Sequence, residues 1–130
     1  MWCERLKRGD DLLLKIQEIA DQNNIECGVV LSAVGCVSTA TVRDASGVNF
    51  QTINQDMEII SVMGTVSKNR THLHVSFSKE DLSVVGGHLV CGCIVNTTCE
   101  LVIAPINGVK IQTEFDSETG YDELIFEKSN

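Results

Sequence analysis

Proline is all but missing from this chain, with one in 130 residues. Without it every backbone N–H stays available to a sheet ladder, so long strands can run uninterrupted. Aromatic residues make up only 5% against a hydrophobic content of 43%, which leaves Val, Ile, Leu and Cys to build the core. Basic residues are also short: ten Lys plus Arg face eighteen Asp plus Glu, a net charge of −8. That sign disfavours a surface that holds polyphosphate through its own field, so direct DNA binding is doubtful. No apolar run approaches the roughly 20 residues of a bilayer span, and Met1-Trp2-Cys3-Glu4-Arg5 opens on charge rather than an apolar leader. The expectation is one soluble, cytoplasmic domain over 1–130, with no membrane partner. Repeats, phosphate-cradling G-x-x-x-x-G-K, dinucleotide G-x-G-x-x-G and the G-x-S-x-G elbow are absent as well, which removes the commonest nucleotide and hydrolase signatures.

One helix is well signalled. Gly9-Asp10-Asp11 offers an N-cap, and Leu12, Leu13, Ile16, Ile19 and Ala20 recur at helical spacing up to Asn23-Asn24. The rest reads as strand over 28–42, 57–67, 71–78, 88–96, 98–104, 109–115 and 123–127, with turn chemistry at 44–47, 68–70, 79–83, 107–108 and 116–120. Such short connections favour antiparallel pairing. The expected class is α+β, a mainly antiparallel sheet with helical cover packed on one face. Val29, Leu31, Ile60, Val62, Leu89, Val95, Leu101 and Ile103 are too many apolar strand residues for one helix to cover, so a homo-oligomer is expected to supply the second layer.

All three histidines, His72, His74 and His88, fall within seventeen consecutive residues. In a strand, residues two apart share a face at about 6.5 Å, so His72 and His74 project together while Leu73, Val75 and Phe77 turn inward. The segment 78–87 is long enough to reverse the chain and lay His88 beside them, and Gly86-Gly87 clears the approach. Three neutral imidazoles suit a divalent transition metal, zinc first, with one position left open. Glu100 lies in the apolar stretch 97–104, where a buried carboxylate needs a partner; a backbone or hydroxyl hydrogen bond, an outer acceptor for a metal-bound His, or a general base would each serve. Cys27, Cys36, Cys91, Cys93 and Cys99 sit among Val, Ile and Leu and read as small core hydrophobes. Cys91-Gly92-Cys93 lacks the companion pair of a zinc finger, and 116–123 reads as an acidic turn rather than a calcium loop.

Taken in order, Arg5-Leu6 with Gly9-Asp10-Asp11-Leu12-Leu13, Gly28-Val29-Val30-Leu31-Ser32-Ala33-Val34-Gly35, Met63-Gly64-Thr65-Val66-Ser67, His72-Leu73-His74-Val75-Ser76, Gly86-Gly87-His88-Leu89-Val90, and Asp116 with Thr119-Gly120-Tyr121 resemble a stand-alone prokaryotic PPC (plants and prokaryotes conserved) domain. The resemblance runs collinearly over 5–124. It implies an antiparallel sheet with helices on one side, a homotrimer, and a kinship with AT-hook DNA-binding proteins. The chain has no Arg-Gly-Arg-Pro hook, carries Gln55-Asp56-Met57-Glu58-Ile59-Ile60 where plant members have a partner-binding segment, and has Leu82 at a usual turn glycine. Plant members generally lack the three histidines. The first reading is a metal-binding, homotrimeric regulatory module, more a binder than an enzyme, whose small-molecule or protein partner is left open. The second is a metal-dependent enzyme acting on a small molecule, with Glu100 or Glu58 as base. The third is a DNA-binding regulator, in which trimerisation gathers Lys7, Arg8, Lys68 and Arg70 on one surface.

Overall fold

The computed structural model describes residues 1–128. Its elements run β1 (Trp2–Lys7), α1 (Leu12–Gln22), β2 (Gly28–Arg43), β3 (Phe50–Ile53), β4 (Met57–Val66), β5 (His72–Ser78), β6 (Val84–Leu89), β7 (Ile94–Pro105), β8 (Val109–Asp116) and β9 (Tyr121–Lys128). Seven strands form one sheet in the order β1-β7-β2-β4-β5-β6, with β3 against β2, and β8 pairs β9 as a separate hairpin. All pairings are antiparallel. The expected α+β class and antiparallel sheet are therefore present, with one helix as cover.

Leu12, Ile16, Ile19 and Ala20 form the buried stripe of α1 and join Leu6, Val37, Val62, Val66, Leu73, Phe77, Val95 and Ile103 in the core. Asp11 does two jobs. One of its oxygens caps the helix by accepting from Leu14 N at 3.1 Å, and the other accepts from Gly92 N at 2.7 Å. That second bond breaks the strand expected over 88–96, because Gly92 turns at φ +111 and divides it into the end of β6 and the start of β7. The expected pause before 98 is no turn: Thr97 takes φ +58 at a register shift, and β7 continues through it. Strands β1 and β3 were not expected, since Trp2-Cys3-Glu4-Arg5 and Phe50-Gln51-Thr52 have little apolar alternation and form by pairing with β7 and β2.

Strand β2 is 16 residues long, long enough to pair with β4 at Gly28–Val29 and again at Gly35–Val37 and with β6 at its far end, through Val42↔Leu89 and Arg43↔His88. The sheet curls back on itself as a result. This closure brings the end of β2 to the histidine strands.

The expectation that Cys27, Cys36, Cys91, Cys93 and Cys99 all lie in the core needs correction. Cys27, Cys93 and Cys99 are buried, but Cys36 is only half-buried and Cys91 is exposed, as is Cys3. Among the apolar strand residues Val62, Leu89, Val95, Leu101 and Ile103 are buried, whereas Leu31 and Ile60 are 62% and 56% exposed.

Candidate metal centre

Strand alternation sends Leu73, Val75 and Phe77 into the core and leaves His72 and His74 on the outer face of β5. The chain then reverses at Lys79, whose N–H donates to Ser83 O at 2.9 Å, while Asp81 accepts from Ser83 N at 2.9 Å. In the returning strand His88 stands directly opposite His74. Gly87 permits the approach of β6 to β2: a Cβ there would lie 2.6 Å from Arg43 O. The ring centroids are 5.5 Å apart for His72–His74, 5.2 Å for His72–His88 and 5.7 Å for His74–His88.

One nitrogen from each ring lies within 4.8 Å of the others. Nitrogens bound tetrahedrally to zinc at 2.0–2.1 Å are about 3.4 Å apart, so small side-chain rotations would close the set. Protonation does not stand in the way. Burial, then the Arg43 guanidinium and the other two rings, push His88 down to about 4. Burial and Arg70 likewise hold His72 below its ordinary value, against a smaller opposing pull from Glu123. Both are neutral at pH 7, as a metal ligand must be. Nδ1 of His88 is also buried without a hydrogen-bond partner among the described residues, and a buried polar atom of that kind needs a partner. The donor set therefore fits a divalent transition metal.

A pocket of about 520 Å³ opens beside the cluster. It is lined by His72, His88, Arg43, Arg70, Thr71 and the 45–47 turn, together with Tyr121, Asp122 and Glu123 of β9. Arg70 donates from a terminal guanidinium nitrogen to Asp122 O at 2.8 Å, which ties the β8–β9 hairpin over the site. Asn69 Nδ2 donating to Ile111 O at 3.0 Å does the same for β8. Leu124 flanks the other side of the cluster with Met63, His72 and His74.

Neither carboxylate singled out from the sequence joins this group. Glu100 is exposed on β7, paired in register with Arg5 and Val34. Its presumed need for a buried partner disappears, because an apolar strand still presents every second residue to solvent. In the sheet order β2 and β4 stand between β7 and β5. Glu58 is exposed on β4 and lines a different groove with Asp56 and Lys79. Within a single chain Lys7 stands apart from the 68–70 turn. Lys7 ends β1 opposite Thr98, beside Gly35 in the middle of β2, and the 68–70 turn lies beyond the Gly28 end of β2, about 23 Å away along the strand. Lys68 is also engaged by Glu26 at 2.9 Å. Arg43 and Glu123 carry no local sign of the site in the sequence, because their place in it arises from β2–β6 closure and from the hairpin crossing the site. Redox or metal chemistry at the buried thiols is disfavoured, since burial pushes Cys93 and Cys99 up to about 11.

Fold and site define a small curled antiparallel sheet, capped by one helix, that presents a three-histidine group beside an open pocket. The chain belongs to the Plants and Prokaryotes Conserved (PCC) domain family, whose profile matches residues 2–107. It is 36% identical over 124 residues to the bifunctional protein GlmU of Synechococcus sp. (strain JA-3-3Ab), covering 95% of this chain and 20% of that one. The chain thus spans about a fifth of the length of the curated relatives it matches. Among solved structures, a hypothetical protein of Salmonella enterica superposes with a TM-score of 0.94 at 27% identity, covering 98% of this chain and 92% of the other. The metal-containing protein of Archaeoglobus fulgidus superposes with a TM-score of 0.74 at 27% identity, covering 95% and 91%.

Proposed function

We propose that this PCC-family domain is a metal-binding module that holds one divalent transition metal, zinc first, through His72, His74 and His88 and offers an open coordination position to a ligand from the adjoining pocket. The observation that carries it is the convergence of three imidazole nitrogens within 4.8 Å, two of them from rings held neutral. The Archaeoglobus relative described as metal-containing supports the same reading. Metal analysis of protein purified without chelators tests it. One equivalent of zinc or a similar metal, lost in a His72→Ala/His74→Ala double variant, is expected; no metal in either protein refutes it.

The module is proposed to act as a homotrimer in the cytoplasm. In support, Leu31, Val34, Ile60 and Met63 on the adjacent strands β2 and β4 are each more than half exposed, more apolar surface than a sheet face ordinarily leaves in water. The six cysteines, all free, suit a reducing compartment. Light scattering should give three times the chain mass, and a single-chain mass refutes the assembly.

A second reading, a metal-dependent enzyme acting on a small molecule, is favoured by one observation. Glu123, not Glu100 or Glu58, is the half-buried carboxylate that lines the pocket beside His72, where it could accept a proton from a metal-bound water. The third reading, a DNA-binding regulator, draws no support from the net charge of −8.

A further inference from the structure

We propose that the pocket beside the histidines receives a small molecule carrying an oxyanion, either a carboxylate or a phosphate, which Arg43 and Arg70 clamp at the edge of the metal position. Two arginines in one pocket are unexpected in a chain with eighteen acidic residues and ten basic ones. Neither forms a salt bridge: the ion pairs among the described residues are Lys15–Glu18 and Lys68–Glu26. Asp122 and Glu123 line the same pocket, yet neither carboxylate reaches a guanidinium. Arg43 Nε is buried with no hydrogen-bond partner among the described residues, an arrangement that costs free energy unless something arrives to accept from it.

The guanidinium fork matches the two oxygens of a carboxylate or phosphate. Arg70 is already oriented for that task, because its bond to Asp122 O fixes one terminal nitrogen and leaves other donors free. Arg43 is fixed by its backbone pairing with His88 at the end of β2, so clamp and metal ligands share one rigid frame. A volume of about 520 Å³ is in the range of small-molecule sites. With a divalent ion in place, the two arginines and the metal outweigh Asp122 and Glu123 by two positive charges, which suits one anionic group. The acidic β9 wall then favours a neutral or hydroxylic body over a second anionic end. The hairpin that supplies this wall, β8–β9, lies beyond the residues 2–107 matched by the family profile, so ligand selectivity would be set by a segment outside the matched region.

The clamp deepens the metal-module reading and rests on it for the metal's share of the affinity, while the arginine share stands on its own. The test is calorimetric titration of inorganic phosphate and of glycolate into zinc-loaded and metal-free protein, with bound zinc measured on each sample. Wild type, Arg43→Met and Arg70→Met are compared, Met keeping most of each apolar stem. Saturable binding of at least one probe, weakened at least tenfold in Arg43→Met with zinc content unchanged, is expected. Preference for phosphate points to a phosphate ester and preference for glycolate to a hydroxy acid. Zinc bound but neither probe binding, or equal binding in wild type and both variants, overturns the clamp and leaves the metal reading intact. No zinc bound but arginine-dependent anion binding sustains the clamp and removes the metal.

Discussion

Zinc binding should release fewer protons at acidic pH than three ordinary histidines would. An imidazole titrating near 6.5 is about 91% protonated at pH 5.5, so each such ligand weakens binding about 11-fold, and three together release about 2.7 protons per metal. His88 departs from this because burial and Arg43 hold it at about 4. At pH 5.5 such a ring is only about 3% protonated and contributes almost nothing to the proton count. His72 is lowered in the same direction by burial and Arg70, so its share is also smaller than that of an ordinary ring. The sign follows: a lowered histidine value favours the neutral, metal-ready form, and affinity persists further into acid. The expected release at pH 5.5 is below about two protons per zinc. Calorimetric titrations in two buffers of different ionisation enthalpy measure it directly. A release near 2.7 would show that His88 and His72 sit in ordinary solvent and that the electrostatic account of the site is wrong.

Replacing His74 by Ala removes one of three ligands and should weaken zinc binding by more than about 100-fold, beyond the range of outer-contact substitutions; Glu100→Ala and Glu58→Ala should change it less than about threefold, by competition with a chromogenic chelator. Circular dichroism of His74→Ala should match wild type, since His74 is exposed and the core is apolar without it. Leu82→Gly should stabilise the protein by about 0.5–1 kcal/mol in urea unfolding, because Leu82 holds φ +70 at 81% exposure and glycine removes the left-handed penalty with no packing to lose. A lower urea midpoint refutes that. In fluorescence anisotropy near physiological salt, duplex DNA should bind no tighter than about 10⁻⁵ M, the non-specific range; a submicromolar, sequence-selective affinity refutes the charge argument.

Residues with a local physical signature were legible in the sequence. The stripe Leu12, Ile16, Ile19 and Ala20 marked the helix, because helical spacing encodes a buried face. His72 and His74 shared a face because a strand alternates with period two, and Gly86-Gly87 announced a close backbone approach. Leu82, standing where related domains place a turn glycine, does occupy a left-handed turn. Tertiary structure alone decided the rest. Glu100 looked buried from its neighbours but faces water, because the flanking apolar residues are themselves split between two faces and a bulge at Thr97 resets the register. Cys91 looked like core and is exposed, because Asp11, some eighty positions earlier in the chain, captures the turn beside it. Arg43 and Glu123 carry no local sign of a pocket. One reaches His88 because β2 is long enough to curl and pair with β6, and the other because Arg70, Asn69 and the backbone of Glu26 hold the last hairpin across the site. Pairings between distant strands depend on the closure of the whole sheet, and no periodicity within a single segment encodes that closure.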